Sequence, residues 1–479
     1  MKKNYFYNLL LSIANILFPI LSFPYASRIL GPVGIGKVQV VSSFAQYFAL
    51  FAALGVPIYG MQEVAKFRHD KTRLSIVFSE LVITNFIAGL FFAALYTIII
   101  LSFPYFRPNI HLYLYAGLII ILGFSCIDWF YSGMEEFKSI AVRSVLIKAT
   151  ALILLFTCVK TQNDYTLYLL LTVFSLVSNN LISFVMIRGK VSLVFSGIDI
   201  KKHLRPLFFI SSTTIAASMY TILDTVLLGF LSTEKAVGLY TSAIKLCRIT
   251  LPFITSIGVI LVPRIAKEAS ENNHSQVQQL LDTSFHFITF LSVPVVFGLF
   301  ILAPEFIYVF SGEKFTEAET GMRVLALLPL LVGAGYFLAF QILVPGGKNK
   351  EMFFSVCGGL ICFVLLSFLL VPVYNETGTA IANICSEFVV TALYFYFVKK
   401  YFTYAFSADL FFRAVKCALS FVPIVIVVKS IGLEPVWTLS ISVMTCTITY
   451  FLLQHFVFKD KFAFKIIEVG LSKFSFKKS

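Results

Sequence analysis

Long apolar stretches, separated by short polar connectors, are the feature that most limits how this chain can fold. Fourteen of them follow one another, and each is long enough for the roughly 20 residues of a membrane-spanning helix. Hydrophobic residues make up 58% of the chain and charged residues only 13%, against roughly 25% charged residues in soluble domains. The sequence therefore predicts an all-α polytopic membrane protein, with spans near 6–28, 38–60, 75–103, 112–132, 139–159, 166–187, 207–231, 239–263, 283–309, 322–345, 352–373, 378–398, 411–431 and 436–458.

The lysines and arginines between these stretches alternate in abundance from one connector to the next. When the N-terminus and every second connector are placed on one side of the membrane, that side carries 26 of them and the other side carries seven. Connectors rich in Lys and Arg stay in the cytoplasm, so both termini are expected there. The net charge of +14 is thus interpreted as an orientation signal, and nucleic acid is not an expected partner.

A weak internal repeat predicts two lobes of six spans. The first span ends at Arg28–Gly31 and the seventh at Val226–Gly229, and a glycine-containing turn follows each of them. Chance similarity between helices that end in glycine is the alternative interpretation. The expected organisation is an amino-terminal lobe, an amphipathic cytoplasmic linker, a carboxy-terminal lobe, and two further helices with a basic cytoplasmic tail, over residues 1–188, 189–206, 207–400 and 401–479.

Polar residues recur at helical spacing in three of the spans, so that each set forms a stripe on one helix face. The stripes are Gln39, Ser42, Ser43 and Gln46 in the second span; Thr214, Ser218, Thr221 and Thr225, beside Asp224, in the seventh; and Thr241, Lys245, Arg248, Pro252 and Thr255 in the eighth. Two interpretations are open. The stripes either form hydrogen bonds between helices or line a hydrated cavity.

Cations inside the spans favour the cavity. A charged side chain within the membrane costs free energy unless it faces a partner or water. Arg28, Lys148, Lys245 and Arg248 exceed the acidic residues near them, which predicts a shared cavity for an anionic substrate. For Lys245, an ion pair with Asp224 is the alternative.

Two glutamines and two acidic residues complete the predicted site. Gln39, Gln46 and Asp224 are expected to line the substrate cavity together with the cations. Glu80 and Asp224 are the candidates for coupling transport to H⁺ or Na⁺, because acidic residues within a membrane span often belong to ion pathways.

The usual chemical motifs of enzymes are absent from the sequence. It contains no phosphate-binding loop, no zinc-protease motif and no cluster of cysteine and histidine, so neither a resident cofactor nor a metal is expected. Membrane glycosyltransferases, polymerases and ligases usually need a sizeable extramembrane loop, and no predicted outer connector reaches about 15 residues. The chain is not expected to be an enzyme.

Seven short segments carry a family resemblance through their order and spacing. They are FPYASRILGPVGIG (23–36), DWFYSGMEEFK (128–138), LDTVLLG (223–229), VGLYTSAIK (237–245), FSGEKF (310–315), QILVPGGKNK (341–350) and GTAIANICSE (378–387). With these segments the chain resembles the polysaccharide-repeat flippases of the O-antigen or capsule type, within the multidrug/oligosaccharidyl-lipid/polysaccharide exporter superfamily.

The resemblance implies a fold, a substrate and a location. The fold is two six-helix lobes around a V-shaped cavity, in a bacterial inner membrane. The substrate is an oligosaccharide linked through diphosphate to undecaprenol, which alternating access carries from the cytoplasmic to the outer leaflet for O-antigen, capsule or exopolysaccharide synthesis. Membrane lipids, a polysaccharide polymerase and chain-length machinery are the implied partners.

The last two helices have two interpretations. With Lys416 on a mostly apolar face, they are candidates for a groove that holds the polyprenyl tail. Alternatively, they are lipid-facing accessory helices.

Two other functions are open at this point. The first is a multidrug or lipid II exporter of the same superfamily, although an acidic cavity would suit cationic drugs better than the basic one predicted here. The second is a membrane glycan polymerase or ligase, which would transfer undecaprenyl-linked glycan to a longer chain.

Overall fold

The computed structural model describes residues 2–460, with side chains described except at 2–6, 8, 9, 209 and 212–221. This part of the chain is helical and contains no β-strand, which confirms the predicted all-α class. The helices are α1 (Lys2–Ala52), α2 (Val56–Phe67), α3 (Lys71–Ser102), α4 (Ile110–Ile121), α5 (Asp128–Gly133), α6 (Phe137–Cys158), α7 (Tyr165–Met186), α8 (Lys201–Leu231), α9 (Glu234–Ser270), α10 (His274–Ile301), α11 (Ala303–Ser311), α12 (Glu319–Leu325), α13 (Leu328–Leu338), α14 (Asn349–Tyr401), α15 (Ala408–Leu419), α16 (Phe421–Ser430) and α17 (Pro435–Leu452).

Eleven helical segments among the described residues are long and apolar enough to cross a membrane. The protein is therefore a multi-pass membrane protein. Two of the segments lie in α1, with 51 residues, and in α14, with 53 residues, and both helices are kinked. Because roughly 20 residues cross the bilayer, each of these helices is long enough for two spans. The predicted total of fourteen spans stays a prediction.

The kink in α1 follows from its sequence. Gly31 has φ 68°, in the left-handed region that glycine adopts without a steric penalty, and Pro32 lacks the N–H that continues a helix. Before the kink, the Tyr25 hydroxyl donates to the Val159 carbonyl just beyond α6, at 2.9 Å. After the kink, Phe44 packs on Tyr96 of α3, with ring centroids 5.5 Å apart. The kink therefore directs the two halves of α1 towards different neighbours.

The chain divides into two compact units, Met1–Thr241 and Ser242–Ser479, here called the amino-terminal and carboxy-terminal units. The core of the first contains Phe44, Tyr96 and Tyr113, and the Tyr96 hydroxyl donates to the Tyr113 carbonyl at 2.7 Å. A core cluster of the second is formed by buried residues of α9, α10, α13 and α14. The predicted lobe boundaries at 188 and 207 stay predictions, and residues 461–479 of the predicted basic tail lie outside the described residues.

At one end of the amino-terminal unit, hydrogen bonds and ion pairs link three connectors that are predicted to be cytoplasmic. Arg68 after α2 donates to Glu135 before α6, at 3.0 Å. The Lys71 amine lies 3.5 Å from the carbonyl of Gly189, which follows α7, and Lys190 pairs with Glu136. These bonds agree with the predicted placement of the three connectors on one side of the membrane.

At the opposite end of the same unit, connectors predicted to face outwards meet in the same way. The Lys37 amine lies 3.7 Å from Glu234, at the start of α9, and Asn109 before α4 donates to Glu234 at 3.0 Å. Lys37 also lies over the ring of Tyr165, 4.9 Å from its centroid. The alternation predicted from basic residues thus matches the grouping of these connectors in the structure.

Thiol labelling tests which end of this unit faces the cytoplasm. Ser196→Cys and Asn163→Cys both change exposed residues, at the predicted cytoplasmic and outer ends. In intact cells, a membrane-impermeant maleimide should modify the cysteine at 163 and leave the one at 196 unmodified until the membrane is opened. The unmodified chain gives the background from native cysteines. Labelling of both positions from the same side would contradict the topology.

Candidate functional site

A cavity of about 240 Å³, called the polar cavity below, lies between α1, α5, α6 and α7, within the amino-terminal unit. Apolar contributions to its wall come from Leu11, Ile140, Ile147 and Leu176. Its polar lining residues are Asn15, Asp128, Ser144, Lys148, Ser175, Asn179 and Asn180.

Helical spacing explains why these side chains converge. On α6, Ser144 and Lys148 are four residues apart, and on α7 the same separation joins Ser175 to Asn179. Residues at this spacing lie on one helix face. Each helix therefore contributes a polar strip to the cavity, although most of its length is apolar.

Lys148 is the predicted site residue that lines the polar cavity. It is half-buried in the middle of α6, and its amine donates to the side-chain oxygen of Asn15 on α1. Asn15 is a neutral amide, so this contact satisfies one donor without cancelling the charge. The wall therefore presents a cation of the kind that binds phosphate or carboxylate oxygens.

Arg143 is a buried residue beside this site that the sequence analysis did not single out. It lies in the second turn of α6 and is only 4% exposed. Its guanidinium pairs with Asp128 and donates from Nε to Asn179 at 3.1 Å. The residue fixes α5 and α7 to α6 at the cavity wall.

One nitrogen of the Arg143 guanidinium takes no part in these bonds. Nη1 is buried and has no hydrogen-bond partner among the described residues, while the guanidinium as a whole lies 5.6 Å from the ring centroid of Tyr131. Asp128 balances the charge of Arg143, so the net charge of the polar cavity comes from Lys148. The sequence gives only a weak signal for Arg143, because five residues place it roughly 140° around the helix from Lys148 and near the start of α6.

The other predicted cavity residues of the amino-terminal unit lie elsewhere. Arg28 is exposed on α1, about 20 Å along the helix from Asn15 at 1.5 Å per residue, and its Nη1 lies 3.4 Å from the carbonyl of Pro24. Gln39 is half-buried and donates to Ser43 at 3.2 Å. Gln46 is half-buried on the same stretch. None of these three lines the polar cavity.

The two acidic candidates for ion coupling are both fully buried. Asp224 accepts from the Tyr240 hydroxyl at 2.9 Å and from the Thr225 backbone N–H at 2.6 Å. Glu80 accepts from Lys202 and from His203, each at 2.8 Å. Of the stripe predicted around Asp224, the side chains of residues 214, 218 and 221 lie outside the described residues.

The predicted cations of α9 belong to the carboxy-terminal unit. Lys245 and Arg248 are half-buried, and their spacing of three residues places them on one helix face. The same unit contains an apolar cavity of about 350 Å³ between α9, α10, α11, α16 and α17. Its wall includes Phe290, Val425 and Tyr450, whereas Lys416 is exposed and does not line it.

At the outer end of the amino-terminal unit, two glycines each lie unusually close to the backbone of another residue. A Cβ atom at Gly36 would lie 1.7 Å from the carbonyl oxygen of Glu234, and one at Gly238 would lie 1.9 Å from that of Pro32. Both distances are far below van der Waals contact. Only glycine fits at either position, and this pair is called the glycine contact below.

The long apolar helices define the class as a polytopic membrane protein. Residues 1–269 match the model of a family described as polysaccharide biosynthesis protein, and residues 179–455 match the model of lipid II flippase MurJ. Each match covers more than half of the chain, and the protein belongs to the polysaccharide biosynthesis protein family and is also matched by the family model of lipid II flippase MurJ. The resemblance found in the sequence motifs is confirmed.

Individual relatives agree with this assignment. A protein of Shigella dysenteriae named "Putative O-antigen transporter" is 24% identical over 402 residues, covering 81% of this chain and 98% of that protein. A Haloferax volcanii protein named "Probable low-salt glycan biosynthesis flippase Agl15" is 24% identical over 43% of this chain and 44% of its own length. A structure of lipid II flippase MurJ in an inward closed conformation superposes with a TM-score of 0.73 at 15% identity, covering 94% of this chain and 99% of that one. At this identity the match shows a shared fold.

The pair of Arg143 and Asp128 gives a test of the polar cavity. Arg143→Ala leaves a partly buried carboxylate without its cation, and breaking such a pair costs about 3–5 kcal/mol. Thermal unfolding in detergent should show this loss, and the double variant Arg143→Gln with Asp128→Asn should recover most of it. Arg73→Ala, which breaks an exposed pair with Asp70, is the control and should change stability by less than about 1 kcal/mol. No recovery in the double variant would show that the charge pair is not what Arg143 provides.

Proposed function

We propose that the protein is a flippase for undecaprenyl-diphosphate-linked oligosaccharide repeat units. It carries them from the cytoplasmic to the outer leaflet of a bacterial inner membrane, by alternating access, for O-antigen, capsule or exopolysaccharide synthesis. The observation that carries this proposal is the polar cavity with its uncancelled cation inside an apolar helical unit. The names of the relatives support the same substrate class.

The chemistry of the polar cavity suits the head of such a substrate. Serine and asparagine side chains exchange hydrogen bonds with sugar hydroxyls, and a lysine amine binds a phosphate oxygen through a charge-assisted bond. Asn15, Asn179 and Ser175 are placed for the first role and Lys148 for the second. Arg28, Gln39, Gln46, Asp224, Lys245 and Arg248 remain part of the proposed substrate path.

The apolar cavity of the carboxy-terminal unit suits the tail. Its wall is built from aliphatic and aromatic side chains of α10, α16 and α17, and burial of a hydrocarbon chain there avoids exposure to water. The cavity supports the role proposed for the last two helices. Lys416 is not needed for it, since this lysine is exposed and does not line the cavity.

Transport in this proposal is not an enzymatic reaction. The protein binds and moves the intact lipid-linked glycan, and a polymerase with chain-length machinery acts on the product. Coupling to H⁺ or Na⁺ is proposed for Asp224 and Glu80, both of which are buried acids. We propose that both termini lie in the cytoplasm.

Lipid II is the second candidate substrate, because residues 179–455 match the lipid II flippase family. It has the same undecaprenyl diphosphate carrier but a different sugar head. Two phenotypes separate the candidates. Loss of the protein should abolish surface glycan while growth continues if the repeat unit is the substrate, whereas arrested cell-wall synthesis would favour lipid II.

Replacing Lys148 tests the cation of the polar cavity. Lys148→Ala should lower glycan export by about tenfold or more, because a charge-assisted hydrogen bond contributes roughly 1.5–3 kcal/mol. Lys148→Arg keeps the charge and should retain more export. Lys138→Ala, an exposed lysine at the start of the same helix, is the matched control. Export is measured as surface glycan at equal protein level, and normal export in Lys148→Ala would contradict the role of this residue.

Replacing Gly238 tests alternating access. Gly238→Ala adds a methyl group 1.9 Å from the carbonyl oxygen of Pro32, so the two backbones can no longer close at the outer end. If closure is part of the cycle, export should be lost while membrane insertion is kept. Gly123→Ala is the control, since nothing lies within 4 Å of an added Cβ there. Unchanged export in Gly238→Ala would show that the glycine contact is dispensable.

A further inference from the structure

The segment between α7 and α8, residues 187–200, is held against α3 by its backbone. We call this segment the connector strap. The N–H of Ser192 donates to the Ser75 hydroxyl at 3.3 Å, and the N–H of Val194 donates to the Ser79 hydroxyl at 2.8 Å. Both hydroxyls donate in turn to carbonyls of their own helix, each at 2.8 Å. The serines of α3 therefore supply acceptors for strap N–H groups that no helix satisfies.

Glu80 is the next acceptor on α3 after the two serines, and it accepts one bond from the strap and two from α8. One carboxylate oxygen accepts from the Asp199 N–H and from the Lys202 amine, and the other accepts from His203, all at 2.8 Å. The three donors lie within five consecutive residues. A single carboxylate on α3 thus fixes the end of the strap and the first turn of α8.

His203 connects this carboxylate to a third helix. Its Nδ1 lies 2.8 Å from the hydroxyl of Tyr59 on α2, and it is only 1% exposed. The neutral imidazole with its proton on Nε2 satisfies both contacts, donating to Glu80 and accepting from Tyr59. Tyr59, Glu80 and His203 are here called the latch, because together they join α2, α3 and α8.

Outside these polar contacts, little holds the middle of the strap. Leu193 is 46% exposed and Phe195 is 75% exposed, so neither side chain is buried by the docking. Val191 is 7% exposed and belongs to the core cluster of the unit, which places the apolar contact at the start of the strap. Segments with few buried apolar contacts open at low free energy. The latch therefore holds the strap in place together with the two serine bonds and the pair of Lys190 and Glu136.

We propose that the connector strap is a releasable element of the transport cycle, and that Glu80 and His203 are positioning residues that hold it docked while α8 is in the state described here. His203 and Lys202 both lie in the first turn of α8, so a shift of this helix breaks their bonds to Glu80. Release of the strap and movement of α8 are then one event. The link to transport rests on the proposed flippase function, whereas the docking itself does not.

Strap release can be measured without any transport assay. Val191→Cys becomes a buried thiol that reacts with maleimide only when the strap opens. In purified protein in lipid nanodiscs, adding Glu80→Gln or His203→Phe should raise its labelling rate at least about tenfold, because each removes hydrogen bonds to a charged group. Ser196→Cys, exposed in the docked strap, is the control and should react at the same rate in every background. Peptide mass spectrometry assigns the label, and unchanged labelling at 191 would overturn the latch.

A reversible cross-link tests whether release is needed for transport. The backbone N–H of Val194 lies 2.8 Å from the Ser79 hydroxyl, so Ser79→Cys with Val194→Cys puts two thiols on adjacent segments. A short bis-methanethiosulfonate reagent, which is cleaved by reduction, should cross-link them and keep the strap docked. Glycan export should fall in proportion to the cross-linked fraction and return on reduction, while either single variant exports normally. Full export by the cross-linked protein would overturn the release step. If the chain without substitutions exports no glycan, the flippase proposal fails, and the labelling rates still decide whether the latch exists.

Discussion

The structure depends on one constraint, which is that a backbone N–H or carbonyl in the hydrocarbon of a membrane must find its partner within the protein. Helices satisfy this requirement locally, and they account for nearly all of the described chain. The few interruptions are correspondingly informative. The break in α1 at Gly31 leads into the glycine contact, the turn of residues 122–125 leads to Asp128, and the connector strap takes its acceptors from Ser75, Ser79 and Glu80.

The same low-dielectric surroundings decide where charge can lie. Removing a charged group from water costs several kcal/mol unless a partner compensates it. In the polar cavity, Asp128 compensates Arg143, and the described partner of Lys148 is the neutral amide of Asn15. The cavity thus keeps one positive charge for a ligand while the other is used to join helices. This division of roles explains why two cations five residues apart on α6 have such different surroundings.

The sequence predicted the class of fold well because span length and apolar composition follow directly from the thickness of the bilayer. Lys148 was also found, since a cation in the middle of an apolar helix is visible without a structure. Arg143 was missed because it is near a helix start, where sequence alone does not separate a connector residue from a buried one. The contribution of Asn15 and Asn179 depends on how α1 and α7 pack on α6, which no local pattern specifies.

The connector strap shows a second reason why sequence alone predicts only part of the structure. Its apolar residues predicted an amphipathic linker. It docks through backbone N–H groups, which every residue type except proline has, so its own sequence does not show this docking. The sequence signal is on the helix it packs against, where Ser75, Ser79 and Glu80 lie at helical spacing within an apolar span. Polar residues on one helix are thus better evidence of what packs against it than the pattern of the packing segment itself.

These observations bear on how a flippase of this kind lowers its barrier. A lipid-linked glycan has the same environment for its tail in both leaflets, and in the proposed transport the apolar cavity keeps that environment during passage. The barrier therefore arises from the head, whose sugar and phosphate groups lose water. A wall of amides, hydroxyls and one uncancelled lysine replaces those hydration contacts without itself requiring a counter-ion. The role proposed here for the polar residues of the amino-terminal unit is therefore to lower the barrier for the head group, and that proposed for the apolar helices around them is to separate the site from lipid.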